Sequence, residues 1–143
     1  MSAMIETAIW LAIRSRIEAL PLGYDIAWPA EKFTPPFSGA KLLPYIRVGR
    51  VSADPVRRFI DNGQAYERTG SVIVTLVAPL LTGSSISFYD QVAGTIGDHF
   101  KDTTQMSYSG VCVSVPSYPS VQEGYEDNGY WTVPVVIPWR CFA

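Results

Sequence analysis

Near the start of the chain isoleucine returns every fourth residue, at Ile5, Ile9, Ile13 and Ile17, with Ala12 and Leu20 on the same side. That spacing lays an apolar stripe along one face of a helix over residues 3–20, with Ser2 able to cap its start and Pro21 ending it. Trp10 lies about 100° of helical rotation off the stripe, which fits either a surface aromatic or an anchor between subunits. From Pro21 to Pro44 the prolines leave room for one short strand at residues 24–28 and a wrapping loop held by Phe33 and Phe37. Residues 45–51 then alternate, Ile46 and Val48 on one face and Tyr45, Arg47 and Gly49 on the other, as a strand requires. An excursion over residues 52–66, with Pro55 at its start and an Asn62-Gly63 turn, is expected to project as an arm or hairpin.

Residues 71–78, SVIVTLVA, are apolar on both faces and rich in β-branched side chains, which predicts a central strand covered on each side. After a turn at residues 82–85, Phe88, Val92, Ile96 and Phe100 mark the buried stripe of a second helix, with Ser87 and Asp90 at capping-box spacing. Gly94 and Gly97 inside it each cost about 1 kcal/mol relative to alanine, and so point to close approach by another backbone, within the fold or across a subunit boundary. Strands are predicted around residues 111–115, 118–123 and 130–141. In the last of these Pro134 and Pro138, four residues apart, remove two N–H donors from the same lateral edge, which predicts a protected sheet edge there. The order helix, strands, helix, strands gives an α+β fold, a mostly antiparallel sheet with two helices packed on one face, and one domain over residues 1–143.

Composition narrows the function. Hydrophobic residues make up 48% of 143 residues and charged ones 17%, more apolar surface than a monomer hides comfortably. The net charge of −2 exerts no general pull on nucleic acid, so any DNA contact would fall to local arginines. The most apolar early stretch, residues 5–13, is too short for a membrane span and has no basic segment before it, so neither a membrane anchor nor a secretory signal is expected. Cys112 and Cys141 lack metal or redox spacing and read as reduced, small buried side chains.

Candidate chemistry is sparse. His99 stands at a helix C-terminus, where imidazolium is favoured, and reads as a solvated capping residue. A hydrolase or metal enzyme would need His99 to meet Cys112 or Cys141, and no nucleophile, phosphate-loop or zinc motif accompanies it. Glu123, Glu126 and Asp127 fall in a loop open to water, where nothing raises an acid's pKa. Arg47, Arg50, Arg57, Arg58 and Arg68, five of eleven basic residues, crowd into twenty-two positions around Phe59. They suit a solvated surface, a contact with acidic surface on a neighbouring copy, or a lumen facing DNA phosphate.

Residues 44–100, PYIRVGRVSADPVRRFIDNGQAYERTGSVIVTLVAPLLTGSSISFYDQVAGTIGDHF, resemble the tail terminator and tail-completion proteins of long-tailed bacteriophages. The likeness is one of order: PYIRV before an arm, Arg68 and Gly70 opening an apolar strand, Ala78-Pro79, a Gly83 turn, and a helix ending in DHF at residues 98–100. It implies a small non-enzymatic α+β subunit without cofactor or metal. Six copies would form a ring on the last ring of tail-tube protein, stop polymerisation and offer the other face to a head-completion or stopper protein. It further implies a place in the tail neck of the virion, assembly in the host cytoplasm, and a lumen through which DNA passes. Trp10, Arg47, Arg50, Arg57, Arg58, Phe59 and Arg68 are the expected contacts with sister subunits or the tube. A stopper or adaptor of the same neck, and an enzyme built on His99, are the alternatives.

Overall fold

The computed structural model describes residues 5–38, 41–52, 56–57, 66–80 and 86–142. Helix α1 runs Ile5–Glu18, with Ala8, Ile9, Ala12, Ile13 and Ile17 buried as the four-residue spacing requires. Its last turn tightens, Ala19 N–H donating to Arg16 O and Leu20 N–H to Ile17 O, before Pro21 ends it. The proposed Ser2 cap lies outside the described residues.

Strand β1 is Asp25–Ala27 and lies parallel to β4, Tyr45–Ser52, with Ile26 opposite Ile46. Between them β2 (Phe37–Ser38) and β3 (Lys41–Leu42) pair as a separate small ribbon. Strand β6 spans Tyr66–Pro79, six residues more than its apolar run predicts, and pairs antiparallel with β4 from Tyr45↔Val77 to Ser52↔Gly70. The two-residue strand β5, Val56–Arg57, also pairs with β6, so the base of the expected arm is hairpin-like. Arg58, Phe59, the Asn62-Gly63 turn and the 82–85 turn lie outside the described residues.

Helix α2, Ile86–His99, returns the chain to the sheet. Its buried stripe is Tyr89, Val92, Ala93, Ile96 and Gly97, continued by Phe100, so the aromatic that enters the core at its start is Tyr89 and not Phe88, which is 46% exposed. The Tyr89 hydroxyl can donate to the Pro79 carbonyl at 3.1 Å, an option phenylalanine lacks. Ser87 lies inside the helix and so cannot be its N-cap.

The last third holds β7 (Gln105–Tyr108), β8 (Val111–Ser114), β9 (Ser120–Val121), β10 (Tyr125–Asp127) and β11 (Tyr130–Phe142). Two hairpins, β7–β8 and β10–β11, close through Ser109-Gly110 and Asn128-Gly129, all four at positive φ, the two-residue turn whose twist matches that of the flanking strands. The sequence predicts no strand at β7, and of the three acids expected in an open loop Glu126 and Asp127 fall in strand β10, while Glu123 lies before it; all three are exposed.

Strand β11 corrects the expectation of a proline-protected edge. It is interior to the sheet, whose main path is β1-β4-β6-β11-β8-β7. One flank pairs with β6 without a break from Tyr130↔Pro79 to Phe142↔Glu67. The other flank is met in pieces, by β10 at residues 130–132, by β9 at 135–136 and by β8 at Arg140. Pro134 and Pro138 fall in the gaps, where Pro134 contributes its carbonyl to Gln122 N–H at 2.8 Å and no donor is required. The prolines divide that neighbour into short strands without exposing the edge.

Both helices pack on one face. Ile46, Val48, Val72, Val74, Leu76, Ala78, Val133, Val135, Ile137 and Trp139 alternate onto it and join Ile9, Ile13, Ile17, Val92, Ile96 and Phe100 in one core. Each such aliphatic side chain contributes about 1.5–3 kcal/mol on full burial. The opposite face is covered over part of its length only. Thr75 and Val77 are buried near the aromatic group Phe33, Tyr45 and Tyr130, whereas Ile73 is half-buried and Val51 is 60% exposed. With both helices on the inner face, the cover observed on this side comes from the loop that carries Phe33, whose ring lies 4.8 Å from that of Tyr45.

Candidate functional site

The expected contact residues divide into two groups. Trp10 is half-buried, edge-to-face against Trp28 with ring centroids 6.0 Å apart, and Arg50 stacks over it at 4.9 Å. Arg14 lies over Trp28 at 4.2 Å and pairs with Glu31 at 2.7 Å, so two cation–π contacts and an ion pair tie α1 to β4 and to the loop after β1. Arg68 bonds Glu6 at 2.6 Å and fixes the first turn of α1 to β6. These three positions therefore have structural duties inside the subunit. Arg47 is exposed on the outer face of β4. Arg57 has a described backbone, paired with Tyr66, while Arg58 and Phe59 fall outside the described residues.

A different feature, not anticipated from sequence, lies where the two helices end. Arg16 near the end of α1 donates from Nε and Nη2 to the His99 carbonyl at 3.1 and 2.7 Å. His99 returns a bond from Nε2 to the Arg16 carbonyl at 2.7 Å. A carbonyl only accepts, so Nε2 carries the proton. Burial, reinforced by the Arg16 charge, holds the imidazole below its usual pKa against the opposing pull of that hydrogen bond. His99 is thus a neutral, half-buried tie across 83 residues of sequence, not a solvated cap, because the end of α1 packs beside it and takes its water away.

Beside this tie is an open cleft of roughly 560 Å³ among Arg16, Gly94, Asp98, His99, Lys101 and Tyr118. The Tyr118 hydroxyl donates to Asp98 Oδ1 at 3.3 Å. A Cβ on Gly97 would meet the Tyr118 ring and hydroxyl at 3.7 Å and Val121 at 3.8 Å, while one on Gly94 would meet nothing within 4 Å. Among the described residues no other backbone approaches these glycines: side chains face Gly97, and Gly94 opens on the cleft. The legible signal was the pair of helix-interior glycines, but their common location needed the fold.

Catalytic geometry does not assemble at His99, whose Nε2 is engaged with a main-chain carbonyl. Cys141 is buried, and burial pushes its thiol up in pKa. Cys112 is exposed, contrary to the expectation of burial, because Val113 takes the inward position in β8. Among the described residues no three His, Cys, Asp or Glu side chains group as metal ligands. No described helix is long and apolar enough to cross a membrane.

Comparison with known proteins bears on the whole domain. No curated protein matches the chain. Among solved structures, a chain carrying no functional name is 23% identical, with a TM-score of 0.68 over 97% of this chain and 96% of its own. A chain from the virion of a native gene transfer agent particle is 12% identical, with a TM-score of 0.65 over 99% of this chain and all of its own. At those identities the likeness is one of fold, and it extends to the aromatic C-terminal third. A family model described as phage tail terminator protein matches residues 8–139, from α1 through both hairpins into β11. The chain therefore belongs to the phage tail terminator protein family.

Proposed function

We propose that the protein caps the tail tube as a hexameric ring, stops tube polymerisation and gives the joining surface to a head-completion or stopper protein in the virion neck. The family match over residues 8–139 carries this reading, since it takes in nearly the whole subunit. Exposed apolar side chains support it: Leu80, Ile86, Phe88, Tyr108, Tyr118 and Tyr125 are each more than 40% exposed, material for burial by neighbours. The subunit then acts by binding alone, without cofactor or turnover, after assembly in the host cytoplasm.

Arg47, Arg50, Arg57, Arg58, Phe59, Arg68 and Trp10 are proposed to meet a sister subunit or the tube, Trp10, Arg50 and Arg68 being also held by contacts within the subunit. DNA passing through the lumen is a bystander. Pull-down with tail-tube protein and with portal protein tests the assignment. Capture of the tube protein supports a terminator. Capture of portal alone places the chain on the head side as a stopper or adaptor and refutes the terminator role.

A further inference from the structure

We draw no further inference here: the strongest candidate, the open cleft among Arg16, Gly94, Asp98, His99, Lys101 and Tyr118 beside the C-terminal ends of α1 and α2, carries charges of both signs, and nothing in the structure shows what covers it.

Discussion

Three glycine-to-alanine substitutions should have opposite effects on stability, and the difference follows from where the new methyl would go. At Gly70 in β6 it would lie 2.5 Å from the Val51 carbonyl oxygen and 2.7 Å from Cζ2 of Trp139. The oxygen belongs to the backbone of β4, which is paired to β6, and the Trp139 ring is packed in the core, so neither yields readily. Overpacking of this kind costs about 1–3 kcal/mol. For a domain of this size a change of 1 kcal/mol moves the midpoint by about 3–4 °C, so Gly70→Ala should lower it by roughly 3–12 °C. At Gly97 the methyl reaches only ordinary contact with Tyr118 and Val121, and at Gly94 it reaches nothing. Both sites are inside α2, where alanine gains about 1 kcal/mol, so each variant should melt roughly 3–4 °C higher. Thermal unfolding followed by circular dichroism reads all three. A Gly70→Ala protein as stable as wild type, or a Gly97→Ala protein less stable, would refute the packing of β4 on β6 or of residues 118–121 on α2.

Two further outcomes concern titratable groups. The folded pKa of His99 is lowered, so as pH falls the unfolded chain takes up the proton first; stability should be fully present above about pH 6.5 and decline from there toward the folded pKa. His99→Gln, which stays neutral and can still donate to Arg16 O, should flatten that part of a denaturation-versus-pH profile; an unchanged slope would show that the imidazole is not responsible. With a thiol reagent at mildly alkaline pH, Cys112 should label in the native protein and Cys141 only after unfolding, since burial raises the Cys141 pKa and hides it. Equal labelling rates would contradict the inward turn of Cys141.

Local pattern and tertiary context separate cleanly in this chain. The isoleucine spacing of α1 and the β-branched run of β6 were readable because one buried face repeats over many residues. Strand β7 was not, since only Met106 of its four residues is buried and the alternation is too short to register. The second helix was placed well but rotated by one residue at its start, because Phe88 and Tyr89 both suit a core and only the Pro79 carbonyl decides between them. Pro134 and Pro138 did mark lost donors, but three short strands share the affected flank, an arrangement that composition alone does not distinguish from an edge. Site residues were harder. The stacking of Arg50 on Trp10 joins a strand to a helix, and the reciprocal bonds of Arg16 and His99 join residues 83 apart, pairings that no local pattern announces.

Growth of tail tubes from purified tube protein, with increasing amounts of this protein added, measures the central role most directly. A terminator should stop elongation once tube ends are occupied, leaving shorter tubes with a ring on one end and no bound protein along their walls. Tubes that grow to the same length at every concentration, their ends bare, would contradict the account.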